Sequence, residues 1–145
     1  MPLTNIKGDI LSGDYETIVH QCNCVTSAGC GLYSAIAKVY PQADIYPLRT
    51  EPSRPGEIVV TKPVIGIMAQ YYPGWPNRTN DRRSRRLRWF KKCLDKIAAL
   101  ELDSVAFPHG IGCGLARGNW DDYERCISEF SDANPKVDVY VVKKV

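Results

Sequence analysis

The polar chemistry of this 145-residue chain gathers around two glycine-rich segments, Asn23-Cys24-Val25-Thr26-Ser27-Ala28-Gly29-Cys30-Gly31-Leu32 and Gly110-Ile111-Gly112-Cys113-Gly114-Leu115. Glycine lets a backbone approach a ligand closely and aim its N–H groups at an anion. Two such segments read as a pair of jaws on one diphosphate, although each alone is also what a tight turn requires. Ahead of the first stands His20-Gln21-Cys22-Asn23. An imidazole titrating near neutrality can deprotonate a water or protonate a leaving oxygen; a histidine satisfied within the core is the competing reading. The Asn23 amide can donate and accept at once. Asp9, directly after Gly8, offers a carboxylate that either bonds a ligand or caps a turn. His109, just before the second glycine segment, is a second imidazole.

Each glycine segment follows an apolar run of strand character, Thr17 to Cys22 and Ser104 to Phe107. Leu3 to Lys7 reads as an earlier strand, and Gly56 to Thr61 and Val64 to Gln70 as two more, separated at Lys62-Pro63. The Val64 run is almost wholly apolar, as expected of a strand covered on both faces. Helical spacing begins at Leu32, with Leu32, Ile36 and Val39-Tyr40 on one face and Pro41 as a stop. Tyr46 to Pro55 and Tyr71 to Asn80 are proline-bearing loops. A second helix runs to about Leu100, with Thr79, Asn80 or Asp81 as its cap. A third covers Asp121 to Phe130 behind Asn119, and Val137 to Val142 closes the chain as a strand. Strands alternating with helices imply a three-layer α/β/α fold around a mixed, mainly parallel sheet, in a single domain spanning 1–145. Ligands in such sheets sit at the carboxyl ends of strands, where both glycine segments fall. Alternation along the strand puts His20 and Cys22 on one face and Asn23 on the other.

The composition, 44% hydrophobic and 24% charged, is that of a globular domain able to bury one core. No apolar stretch approaches the roughly 20 residues of a membrane span, and the opening residues lack a signal-peptide profile. The expectation is an intracellular protein, cytoplasmic or nuclear. Cys22, Cys24, Cys30, Cys93, Cys113 and Cys126 lack zinc-site spacing, so reduced thiols and no metal are expected. Cys24, Cys30 and Cys113 belong to segments that would line a ligand site. The net charge of +3 is unevenly spread. Arg78, Arg82, Arg83, Arg85, Arg86, Arg88, Lys91 and Lys92 crowd one segment that also carries Leu87, Phe90, Leu94 and Ile97 at helical spacing. That is an amphipathic helix with a solvated basic face, or a platform for a polyanion.

The order Ile6-Lys7-Gly8-Asp9-Ile10-Leu11, His20-Gln21-Cys22-Asn23-Cys24, Phe107-Pro108 and Gly110 to Leu115 resembles the macrodomain family. It is most similar to the branch containing ADP-ribose-1''-phosphate phosphatases and the terminal ADP-ribose protein glycohydrolase. The resemblance runs from Leu3 to the closing strand. It implies ADP-ribose or ADP-ribose-1''-phosphate as ligand, with no cofactor. It implies that Asp9 bonds the adenine amino group, with Ile10 packing or bonding nearby, and that Asn23 orients the distal ribose. Gly29, Cys30, Gly31 and Leu32 would hold the diphosphate and distal ribose, and Gly110, Ile111, Gly112, Cys113, Gly114 and Leu115 would form the second phosphate loop. His20 matches a catalytic candidate of the phosphatases. The glycohydrolase chemistry uses a lysine after the central strand and an aspartate after the second loop; this chain has Gln70 and Ala116 there. Neither can form a Schiff base or act as acid or base. Three functions stay open: a phosphatase on ADP-ribose-1''-phosphate, a weak hydrolase of ADP-ribosylated protein, and a non-catalytic reader. A reader would engage poly(ADP-ribose), with the Arg82 to Lys92 face also available to RNA.

Overall fold

The computed structural model describes residues 3–76 and 79–145, so Arg78 of the basic segment lies outside the described residues. Six strands form one sheet: β1 (Thr4–Gly8), β2 (Ile18–Cys22), β3 (Ile58–Val60), β4 (Val64–Met68), β5 (Ser104–Pro108) and β6 (Asp138–Lys144). Their order is β1-β6-β5-β2-β4-β3, with every pairing parallel except β3 against β4. Side-chain alternation sorts the core into two faces. Val19, Ile65, Ile67, Val105, Phe107, Val139 and Val141 pack beneath helices α2 (Arg83–Ala98) and α3 (Trp120–Ala133). Ile18, Val64, Ala106 and Val142 point the other way, toward Ile36 of helix α1 (Leu32–Val39). All five residues of β4 are buried, as a strand covered on both sides requires. The result is the three-layer arrangement expected from the alternation of elements.

Three local expectations need correction. In α1 the buried residues are Tyr33 and Ile36, while Leu32 and Val39 stay 38% and 49% exposed. Tyr33 wins the inward position because its ring stacks on Tyr46 at 4.1 Å and its hydroxyl donates to Asp44 at 2.9 Å. A phenol that buries its ring needs such a partner for its tip. Helix α2 has Arg82 at its cap position and no side-chain cap. Asp81 is instead consumed by Arg86: Nε and Nη2 donate to its two carboxylate oxygens at 2.9 and 2.7 Å. Arg86 is therefore no part of a solvated face, being 1% exposed and held in the core next to Phe90, Cys93, Leu94 and Ile97. Helix α3 does start behind Asn119, whose side chain accepts from the Asp121 N–H at 3.0 Å.

Candidate functional site

β2 and β5 are parallel neighbours, so their carboxyl ends lie side by side and the two glycine segments leave the sheet facing one another. Between them is a cleft of two joined lobes, about 310 and about 210 Å³. Gln21, Cys30, Leu32, Tyr33, Gln70 and Ala116 line both lobes. His20, Gly31, His109, Gly110 to Gly112 and Gly114 complete the larger one, and Leu115 also lines both. Asn23, Gly29, Tyr46, Pro73 and Gly74 belong to the smaller. No carboxylate, ammonium or guanidinium stands on either wall among the described residues.

The first segment is shaped by one amide and one guanidinium. Asn23 Oδ1 accepts from the N–H groups of Val25 and Thr26 at 3.1 and 2.9 Å and from the Thr26 hydroxyl at 3.0 Å. Its acceptor is thus committed to the loop, and only its NH₂ is left for a ligand. Arg49 lies over the Tyr46 ring at 4.4 Å and donates to the Asn23 carbonyl at 2.9 Å and the Thr26 carbonyl at 2.7 Å. Gly29 packs directly on the Tyr33 ring, where a Cβ would collide. Gly31 opens α1 with no capping side chain, so the first-turn N–H groups of α1 are unpaired, as at any helix start. The second segment turns at Gly112, with φ +76°. A Cβ there would lie 2.6 Å from the Tyr123 ring and 2.9 Å from Gln21 Oε1.

Arg86 ties the remaining wall together. Besides Asp81 it reaches the carbonyls of Gly74 at 2.6 Å, Tyr72 at 3.1 Å, Ala116 at 3.3 Å and Trp75 at 3.4 Å. Asp81 in turn accepts from the N–H groups of Tyr71 and Tyr72 at 3.2 and 2.8 Å. The loop after β4 and the second glycine segment are therefore hung from one buried ion pair. Arg117 stacks over Trp75 at 4.2 Å across the same junction. The loop's Asn77 lies outside the described residues.

Several expected site residues do not line these two lobes. Asp9 is exposed at the end of β1, with one carboxylate oxygen accepting from the Leu11 N–H at 2.9 Å; Ile10 is buried beside Ile36. Neither lines the two lobes. Cys24 and Cys113 also turn away, donating to the carbonyls of Gln70 and Ile111 at 3.4 and 3.3 Å. Burial pushes these thiols up to about 12 and about 11, so they are inert. Cys30 is exposed on the wall.

His20 is on the cleft floor, among the residues lining the larger lobe. It is 2% exposed, and desolvation lowers its pKa to about 4. A neutral imidazole at pH 7 with so low a pKa is a poor general base. Its Nε2 lies 3.6 Å from the Cys22 thiol, which burial raises to about 12 and so keeps protonated. His109, by contrast, is exposed, packs against Trp120 and lines the larger lobe. Gln70 and Ala116 stand on the cleft wall, where the resemblance would have placed a lysine and an aspartate. Asp121 and Asp122 lie in the first turn of α3, off the walls. Sequence reasoning passed over Gln21, Arg49 and the inward turn of Arg86.

No protein-family profile matches the sequence, and no curated protein matches it. Among solved structures, the macrodomain of Mycobacterium tuberculosis DarG superimposes with a TM-score of 0.75 at 24% identity, over 97% of this chain and 96% of that one. A mutant Oceanobacillus iheyensis macrodomain with ADPR gives 0.68 at 21% identity, over 97% of this chain and 84% of that chain. A Trypanosoma brucei macrodomain in complex with ADP gives 0.67 at 15% identity, over 99% and 63%. The chain has the macrodomain fold.

Proposed function

We propose that the cleft binds ADP-ribose. The observation that carries this reading is a cleft walled by two facing glycine segments, with no carboxylate on it among the described residues and an uncapped helix start at Gly31. Such a wall suits a diphosphate. The Asn23 NH₂ is placed for a ribose hydroxyl in the smaller lobe. Asp9 lies three strand spacings from β2, roughly 14 Å away, a span that an extended nucleoside diphosphate sugar can cover with adenine at the β1 edge. Solved neighbours of the same fold carrying ADPR and ADP support the choice of ligand.

The second reading, hydrolysis of ADP-ribose-1''-phosphate to ADP-ribose and phosphate, is favoured by one feature, the exposed His109 imidazole on the larger lobe. It is the more exposed of the two imidazoles lining that lobe, and so the more accessible for proton transfer. The exposed basic residues of α2, now Arg82, Arg83, Arg85, Arg88, Lys91 and Lys92, are the face on which poly(ADP-ribose), an ADP-ribosylated protein or RNA would lie in a reader.

Calorimetry with ADP-ribose tests binding, and phosphate release from ADP-ribose-1''-phosphate on the same preparation tests hydrolysis. Gly114→Glu is the decisive variant, because a Cβ there meets nothing within 4 Å. The fold should survive while the added carboxylate repels a diphosphate. Micromolar binding by the wild type and none by a folded Gly114→Glu is expected; equal binding by both would remove the second segment from the site.

A further inference from the structure

The sheet face on the α1 side is not covered along its whole width. β1 pairs with β6 so that Ile6 stands beside Val142 and Thr4 beside Tyr140. Residues two apart on a strand share a face, so all four lie on that side. Val142 is buried in the cluster that holds Ile36 of α1, whereas Ile6 and Tyr140 are half-buried and Thr4 is exposed. Helix cover thus ends before the amino ends of β1 and β6. There the Tyr15 ring, from the segment ahead of β2, packs on Tyr140 with centroids 5.9 Å apart and planes at 57°. Beside the two rings is a cavity of about 470 Å³, at the end of the sheet opposite the cleft. Asp14, Glu16, Asp103 and Asp138, all exposed, complete its walls with Ile6 and Ser104. No cation lines it, and none of these carboxylates is in an ion pair among the described residues.

We propose that this uncovered face is a docking surface for an arginine-bearing peptide segment of a partner protein. Charge decides the occupant. The chain as a whole carries +3, so four carboxylates without a cation around one cavity reverse the sign locally, and a cationic partner relieves it. The tyrosine corner adds a preference for guanidinium. A planar cation stacks on an aromatic face while its fork reaches the carboxylates beside it, which an ammonium does less well. A single metal ion is a poorer fit, because no three carboxylates, imidazoles or thiols among the described residues are placed to hold one. The four acids are instead spread over three segments of the chain, as suits several side chains of an extended peptide. The surface is separate from the cleft and does not rest on the binding reading above.

The probe is a fluorescently labelled peptide of arginine, glycine and serine, titrated with the wild-type chain and read by anisotropy. Saturable one-to-one binding that weakens with added salt is expected. Asp103→Asn combined with Asp138→Asn should weaken it about fivefold. Tyr15→Leu keeps every carboxylate and should weaken it about threefold. The same peptide with lysine in place of arginine should bind the wild type less tightly. That comparison needs no variant, so it still decides should Tyr15→Leu fail to fold. Loss of affinity in the double Asn variant alone, with Tyr15→Leu and the lysine peptide behaving like their references, would mean diffuse attraction and overturns the proposal. No binding of the peptide overturns it as well. So does self-association of the chain, seen by sedimentation and abolished by the two Asn substitutions, which would give the face to a second copy.

Discussion

Replacing Arg86 should damage both stability and binding, although its side chain does not line the cleft. Arg86→Met removes a guanidinium that is 1% exposed and leaves Asp81, also 1% exposed, without its cation. Asp81 would keep two N–H donors, from Tyr71 and Tyr72, so its charge is partly compensated. The carbonyls of Tyr72, Gly74, Trp75 and Ala116 would lose a donor at the same stroke. Removing one member of a buried pair costs about 3–5 kcal/mol, which for a domain of this size lowers the melting temperature by about 10–15 °C. Thermal and urea unfolding measure the loss. Arg86→Lys restores the charge but not the forked geometry and should recover less than half of it. Asp81→Asn combined with Arg86→Met should be less damaging than Arg86→Met alone, because no unpaired charge remains. At a temperature where Arg86→Met is fully folded, ADP-ribose should bind roughly tenfold more weakly, since Gly74 and Ala116 line the cleft. A stability change within about 1 kcal/mol would refute the reasoning, for it would mean that the pair behaves like an exposed one.

His20 supplies a pH signature. Its folded pKa, about 4, lies below the ordinary value of 6.5, so between those values the unfolded chain takes up a proton that the folded one refuses. The stability is fully present above pH 6.5 and is lost as pH falls toward 4, about 3 kcal/mol in all. The difference in unfolding free energy between wild type and His20→Asn should shrink over that window; a constant difference would mean the imidazole is solvated. At the β1 edge, Asp9→Asn keeps an acceptor for the Leu11 N–H but loses the charge. It should weaken ADP-ribose about tenfold without affecting a ribose phosphate that lacks adenine, and calorimetry showing no change for ADP-ribose would place the adenine elsewhere.

What the sequence made legible follows from local rules. β4 is apolar throughout because both faces are covered, Asn119 caps α3 through a contact two residues away, and Gly29 and Gly112 mark where the glycine segments crowd an aromatic ring. The unread parts are decided by distant partners. Nothing in a run of basic residues distinguishes Arg86 from Arg85; the carbonyls that draw it inward come from loops ten or more positions away in sequence. Arg49 sits among prolines and looks like loop surface, yet it clamps the first glycine segment. Helical spacing favoured Leu32 over Tyr33, but spacing says nothing of Asp44 and Tyr46 waiting for a phenol. For His20 the residue type suggested either a titrating base or a core histidine, and only the fold shows how deeply the imidazole is buried.

Arg49 and the buried Arg86 explain how a cleft whose described lining carries no charged side chain can suit a doubly charged ligand. An anion site must present N–H groups, and it must also turn its backbone carbonyls away, because each exposed oxygen opposes the anion. Arg49 gathers the carbonyls of Asn23 and Thr26; Arg86 gathers those of Tyr72, Gly74, Trp75 and Ala116. A guanidinium has five donors in a rigid fork, so one side chain can hold several carbonyls at fixed angles, which an ammonium on a flexible stem does not do as well. The positive charge is placed behind the walls and the oriented peptide dipoles in front of them. Recognition then depends on loop geometry more than on any charged side chain touching the ligand. A residue that never meets the ligand can therefore set its affinity.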